Sequence, residues 1–407
     1  MRCRHCKTTK LHRFVDLGFQ PPSNAYRSEK QLNQYEVVFP LRANVCENCF
    51  LVQTEDYTTR EKLFSSEYAY FSSTSSSWLK HAKVYSKNII KKLQLGNKNF
   101  VVELACNDGY LLKNFKEANI QCLGVEPTLS TAIAAEALGI EVIKEFFGQK
   151  LSYQISDSYK KADLIVANNV YAHVPDINDF TLGIKNLLAD NGVVTIEFPH
   201  ILNLIQKKQF DTIYHEHFSY FSLYTVKKIF EAFGLRIFDV ENLPTHGGSL
   251  RIYGCHVNSK KETCKTVSDV LEAEISYGLT SIARYAGFQI EIDYIKNNFL
   301  KTLINIKNSK KLILGYGAAA KGNTLLNYAG VKKDLLPCVF DAAKSKQGKY
   351  LPGSHVPILP VEKIPEKSLD YILILPWNIK TEIISQLKNV VEEKVQFVTA
   401  IPSLEIS

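Results

Sequence analysis

The sequence predicts an α/β protein in three parts: a small N-terminal metal-binding domain (1–58), a central seven-stranded domain (59–258) and a smaller C-terminal α/β domain (259–407). Three observations predict it. Two C-x-x-C pairs, Cys3/Cys6 and Cys46/Cys49, stand near the N-terminus. The apolar, β-branched run Phe100-Val101-Val102-Glu103-Leu104 turns through Asn107-Asp108-Gly109 into helical leucines, the strand, turn and helix start of a βαβ unit. A second strand–glycine turn–helix begins at Lys311 and turns at Gly315-Tyr316-Gly317.

A chain of 407 residues is too long for one ordinary core, so two or three domains are expected. At 45% hydrophobic and 22% charged, without a low-complexity tract, it is globular. No apolar run approaches the ~20 residues that span a bilayer. Nor does Met1-Arg2-Cys3-Arg4-His5-Cys6 resemble a signal peptide. A cytoplasmic protein without a membrane partner is expected. Net charge is +8, but the lysines are scattered, as at Lys91-Lys92, Lys207-Lys208 and Lys332-Lys333. That reads as a solvated surface more readily than a nucleic-acid stripe; it also suits an anionic small substrate, and charge alone does not separate the two.

Nine cysteines are an odd number, and four of them form the two pairs. In a reducing compartment this argues for metal ligands over disulfides. Two knuckles with a long insertion have the spacing of a zinc ribbon, and four thiolates close a tetrahedral sphere, so the zinc is structural. A segment of fewer than 60 residues has little core, and the metal supplies much of its folding energy. His5 and His12 are competing ligand types, but four cysteines suffice.

From Glu61 to Leu95 the reading is helical, interrupted at Ser72–Ser77. Tyrosines beside a serine loop (Glu67-Tyr68-Ala69-Tyr70-Phe71) mark a lid or a capped helix start; on these residues alone Tyr68 reads as structural. The strand Cys122–Val125 ends in Glu126, whose carboxylate can accept from both ribose hydroxyls of an adenosine. The first turn is not G-x-G-x-x-G. Ala105, Asn107 and Gly109 stand where methyltransferases binding S-adenosylmethionine (SAM) usually show glycines. Asn tolerates positive φ, and SAM has no pyrophosphate to approach the backbone. These residues fit any doubly wound domain equally well.

Ala162–Val170 reads as a buried parallel strand, and its polar end aims Asn168, Asn169, Tyr171 and His173 at a site. Ile140–Ile143 is a short strand between the second and this one, Asp176–Leu188 is helical, Asn191-Gly192 turns, and Val193–His200 is the fifth strand. Leu235–Val240 and Ser249–Val257 complete the count. Five parallel strands plus a terminal pair are the Rossmann-like layout of a class I methyltransferase; a dehydrogenase of similar winding would show a glycine-rich turn here. Tyr214-His215-Glu216-His217-Phe218-Ser219-Tyr220 is the densest titratable cluster. Histidines at i, i+2 bind metal only from an extended segment with a third ligand elsewhere. For catalysis, an imidazole takes a proton near neutrality, a flanking carboxylate fixes its tautomer, and a tyrosine donates to an oxyanion.

The last third opens with a helical region, Lys261–Lys307. At the Gly315–Gly317 turn, helix-terminal amides and Lys321 form a ready diphosphate site. A second NAD site is an alternative, although the segment is short for one.

Taken together, these motifs resemble the zinc-containing, SAM-dependent C-methyltransferases that act on nucleotide-linked 4-keto-deoxyhexoses. The resemblance spans essentially the whole chain. It rests on the cysteine pairs, the Glu103–Gly109 turn, Tyr214–His217, Thr245-His246-Gly247-Gly248-Ser249-Leu250-Arg251 and Gly315–Asn323. Ala105 in place of the first glycine is tolerated in that family. The resemblance implies His217 as general base, with Glu216 and Tyr214 beside it and Tyr68 and His173 in the cleft. It implies Glu103, Ala105, Asn107, Gly109, Glu126, Asn168 and Asn169 around SAM. It places His246, Ser249, Arg251, Gly317, Lys321 and Asn323 around a nucleoside-diphosphate-linked keto-deoxysugar. It implies Cys3, Cys6, Cys46 and Cys49 on Zn2+. The expected reaction is methylation of a carbon next to a ketone, C3, through an enolate, by a monomer or weak homo-oligomer without nucleic acid. Two other readings stand beside it: a zinc-ribbon RNA-modifying methyltransferase, and an NAD-dependent sugar-nucleotide oxidoreductase using the Gly315 turn.

Overall fold

A computed structural model describes residues 1–57, 59, 71–365 and 368–407. Tyr68 lies outside the described residues. Three sheets are seen among those that are described. The chain lays down β1 (Leu11–Gln20), β2 (Phe39–Cys46) and β3 (Val52–Thr54), then β4 (Phe100–Leu104), β5 (Gln121–Val125), β6 (Glu141–Ile143), β7 (Ala162–Asn168) and β8 (Leu188–Pro199). It next returns to the first sheet with β9 (Ser219–Tyr220), which pairs with β3, before β10 (Leu235–Leu243) and β11 (Ser249–His256) finish the second. The third sheet holds β12 (Ile313–Tyr316), β13 (Val339–Phe340), β14 (Ile358–Leu359), β15 (Tyr371–Ile374), β16 (Gln396–Thr399) and β17 (Glu405–Ile406).

The second sheet runs β10-β11-β8-β7-β4-β5-β6. β4 and β7 are buried almost throughout, as parallel strands covered on both faces must be. Only β11 runs antiparallel to its neighbours, which gives the five parallel strands and terminal pair. Winding reverses between β4 and β7, and the crevice opens at their carboxyl ends. There the turn after β4 holds Ala105 at φ 57°, Asn107 at 50° and Gly109 at 74°. Asn and Gly occupy left-handed backbone readily, whereas Ala105 costs about 1–2 kcal/mol. Gly109 has a second constraint: a Cβ there would lie 2.5 Å from Ile140 Cδ1.

Two expectations change. The helical stretch 261–307 is three helices, Lys265–Tyr277, Ile282–Ala286 and Phe288–Asn308, because Gly278 ends the first in left-handed conformation at φ 94°. Asn191-Gly192 lies inside β8 as an excursion: Leu188 pairs with Ala162 but Val193 with Leu164.

The cores interlock. Cys3, Cys46, Cys49 and Leu51 share one apolar cluster with Phe100, Ile165 and Phe198. Phe14 of β1 stacks on Phe288 at 4.6 Å, in a cluster that reaches Leu326 and Leu373 of the C-terminal sheet. Among the described residues no helix is long and apolar enough to cross a membrane.

Candidate active site

The four cysteine Sγ atoms lie within 4.8 Å of one another, with Cys3–Cys49 and Cys6–Cys46 both at 3.5 Å. Four thiolates about 2.3 Å from a tetrahedral zinc sit at such separations. Hydrogen bonds from the Cys3 and Cys49 thiols hold Cys46 far below the ordinary thiol range. The competing histidines are engaged elsewhere, His5 Nδ1 with Asn178 Oδ1 at 2.9 Å and His12 Nε2 with Glu47 Oε2 at 2.9 Å.

One cavity of about 440 Å³ gathers most of the remaining candidates. Ala105, Asn107, Glu126, Asn168 and Asn169 line it, with Trp78 and Tyr110. Glu126 accepts from the Asn107 amide at 3.0 Å and the Thr128 amide at 2.8 Å, so it braces the turn as well as facing the cavity. The serine loop docks here: the Ser72 and Ser73 amides donate to Asn107 Oδ1 and Asp108 Oδ2, and Ser75 Oγ caps the helix Ser76–Leu93 by accepting from the Trp78 amide.

His173, Tyr214, Glu216, His217, His246 and Lys321 line the same cavity. His217 packs 4.0 Å from the Tyr214 ring and 4.7 Å from the His173 ring, centroid to centroid. Its Nδ1–H donates to the Thr212 carbonyl at 3.0 Å, which leaves Nε2 as the basic nitrogen. Burial, then neighbouring His173, holds its pKa well below 6.5, so the resting ring is neutral. His173 donates through Nδ1 to the Glu216 carbonyl at 2.9 Å, and burial lowers its pKa to about 4. Lys321 Nζ donates to Asn378 Oδ1 at 2.7 Å and lies 4.5 Å over Trp377, whose Nε1 donates to the buried Asp211 at 2.7 Å.

Several expectations need correction. The carboxylate of Glu216 does not hold His217; it turns to Asn24, whose Nδ2 donates to both oxygens at 2.9 and 2.7 Å, and burial raises its pKa to about 7. A backbone carbonyl, that of Thr212, sets the tautomer instead. Glu103 and Gly109 do not line the cavity: Glu103 is buried beneath the turn, and Gly109 faces Ile140 and Ala135. Ser249, Arg251, Gly317 and Asn323 are also absent from its walls. Arg251 bonds Glu197 at 2.8 Å and Glu241 at 3.0 Å; Ser249 donates to the Thr245 carbonyl, and Asn323 to that of Ser23. These side chains are spent on bracing the loop that carries His246 and the helix that carries Lys321. Sequence reasoning missed Asn24, Tyr26 and Lys346, which do line the cavity. Tyr26 donates to the Ala318 carbonyl, and no spacing marks either N-terminal residue.

Family models match three successive stretches: a zinc binding domain over 3–64, a methyltransferase domain over 78–240 and a C-methyltransferase C-terminal domain over 244–402. The C-methyltransferase NovU of Streptomyces niveus is 31% identical over 400 residues, covering 98% of this chain and 95% of that protein. The chain belongs to the zinc-containing C-methyltransferases. Fold comparison finds the PH0226 protein of Pyrococcus horikoshii OT3 (12% identical, 49% of this chain, 100% of that one, TM-score 0.36). It also finds the magnesium protoporphyrin IX methyltransferase ChlM of Synechocystis PCC 6803 with bound SAH (13%, 44%, 83%, 0.35). At such scores the assignment rests on the family models and NovU.

As a SAM-dependent C-methyltransferase, the chain must offer polar partners at the crevice. Asn168 Oδ1 and both polar side-chain atoms of Asn169 are buried there without partners among the described residues, as sites awaiting a polar ligand are. The four thiols likewise fit one zinc.

Burial of a neutral His173 ties the stability of this C-methyltransferase to pH. Its pKa falls from about 6.5 to about 4 on folding, so the stabilisation is present above pH 6.5 and is lost as pH falls toward 4. The difference amounts to about 3 kcal/mol. Against His173→Asn, which cancels the titration of groups that do not sense His173, denaturant titrations are expected to show wild type losing about that much more between pH 7 and 4. Parallel pH profiles would refute it.

Proposed function

We propose that this C-methyltransferase methylates the carbon next to the ketone, C3, of a nucleoside-diphosphate-linked 4-keto-deoxysugar through an enolate, with His217 as general base. The observation that supports it best is one cavity lined by Glu126, Asn168 and Asn169 from the strand ends of the second sheet and by Lys321 from the C-terminal helix, with a neutral imidazole on the same wall. A hydrogen α to a ketone is acidic only when the enolate oxygen is stabilised. Tyr214, against the His217 ring, is the donor we assign to that oxygen, and Nε2 of His217 takes the proton. SAM supplies the electrophilic methyl when bound against Asn168 and Asn169. Holding the donor and the carbanion carbon in line is the main work of the scaffold.

Lys321 and the amides opening the ten-residue helix Ala320–Ala329 suit a diphosphate. Binding that remote group anchors a small sugar without touching the reacting carbon. The test is incubation with methyl-labelled SAM and a panel of 4-keto sugar nucleotides. A labelled product with a new carbon–carbon bond is expected, and no such product across the panel would overturn the proposal.

A further inference from the structure

We infer that Arg4, one of the two residues inside the first zinc knuckle, is a positioning residue for the two loops that carry His173 and His217. Arg4 is buried and does not line the cavity. Its Nε donates to the Phe218 carbonyl at 3.2 Å, one residue past His217, and its Nη1 to the Pro175 carbonyl at 3.1 Å, two past His173. Nη2 donates to the Thr54 carbonyl at 3.1 Å and pairs with Asp56. The guanidinium also lies 5.0 Å over the Phe218 ring. The same residues are tied a second time. Thr54 Oγ1 donates to the His217 carbonyl at 3.0 Å, the Thr54 amide to Phe218 O at 3.1 Å, and the Phe218 amide to the Ala172 carbonyl at 2.8 Å.

One rigid fork therefore bonds the segment after each histidine, from a point that the thiolates on either side of it, Cys3 and Cys6, hold in place. A planar guanidinium with five donors matches three carbonyls at fixed angles, which a single ammonium cannot. The 4.7 Å separation of the two imidazoles is thus set from behind the cavity wall. On this view the zinc domain holds the geometry of the proton-transfer apparatus in addition to its own fold.

The inference rests on the reading of His217 as base, and the test keeps the two apart. Zinc-loaded, full-length Arg4→Met, Arg4→Lys and His217→Asn are compared with wild type. Arg4→Met is expected to retain zinc and its KM for SAM, to lower kcat by about 10- to 100-fold, and to shift the imidazole 15N–1H correlations of His173 and His217. Arg4→Lys is expected not to rescue either readout. Wild-type kcat with unmoved imidazole signals in Arg4→Met would overturn the inference. If Arg4→Met loses zinc or fails to fold, Arg4→Lys decides by the same two readouts. If His217→Asn stays active, the base assignment falls, and the imidazole signals alone decide on Arg4: shifted they support it, unmoved they overturn it.

Discussion

His217→Asn is expected to lower turnover by about 10²- to 10⁴-fold, the range supplied by a positioned general base, while leaving SAM affinity essentially unchanged. The substitution is chosen for what it keeps. An asparagine amide is smaller than an imidazole, remains polar, and can still donate toward the Thr212 carbonyl that now receives Nδ1–H. It has no nitrogen able to take a proton at neutral pH. In the proposed reading SAM lies against Ala105, Asn107, Glu126, Asn168 and Asn169, from the ends of β4, β5 and β7, while residue 217 sits on the loop before β9. Calorimetric titration with SAM and single-turnover rates on the same preparation check both halves. Near-normal turnover would refute the base assignment; lost SAM affinity with intact turnover per bound SAM would mean that His217 shapes the cofactor site instead. Since burial holds the ring neutral, its protonation should limit kcat/KM only well below pH 6.5.

The second sheet was legible because its signals are local. Phe100–Leu104 is an apolar, β-branched run broken only by Glu103, Asn107-Asp108-Gly109 is turn chemistry, and parallel strands buried on both faces read as such without knowing their partners. The cysteine spacing was legible for the same reason. What could not be read is which side chains meet across long sequence distances. Asn24 reaches Glu216 across 192 residues, and Arg251 lies in a recognisable motif yet spends its guanidinium on Glu197 and Glu241. A motif reports that a residue is constrained, and does not report whether the constraint comes from a ligand or from a loop that holds one. The same limit explains Glu216: adjacency to His217 in sequence suggested a carboxylate–imidazole pair, but neighbouring side chains in an irregular loop diverge, and a carbonyl five residues upstream took the role.

Removing zinc is expected to unfold far more than residues 1–58. A four-thiolate site contributes on the order of 10 kcal/mol of apparent folding free energy, which compares with the whole stability of an ordinary domain, about 5–15 kcal/mol. In an isolated ribbon that loss would stay local. Here Cys3, Cys46 and Cys49 belong to the same apolar cluster as Phe100, Ile165 and Phe198 of the second sheet, and β3 hands its edge to Ser219–Tyr220, directly after the His217 loop. Thr225 also donates to the Cys49 carbonyl at 3.1 Å, tying the second knuckle to the helix Leu223–Ala232. Chelation, or Cys49→Ser without a chelator, should therefore lower Tm by about 10–20 °C if roughly 10 kcal/mol is lost from a cooperative unit of this size. It should also abolish amide-exchange protection in β7 and β8 together with β1–β3. Exchange that rises only in the first 57 residues, with β7 and β8 still protected, would show that the shared cluster does not transmit the loss. The zinc would then support nothing beyond its own knuckles, and the coupling between metal and the His217 loop would have to run through individual hydrogen bonds alone.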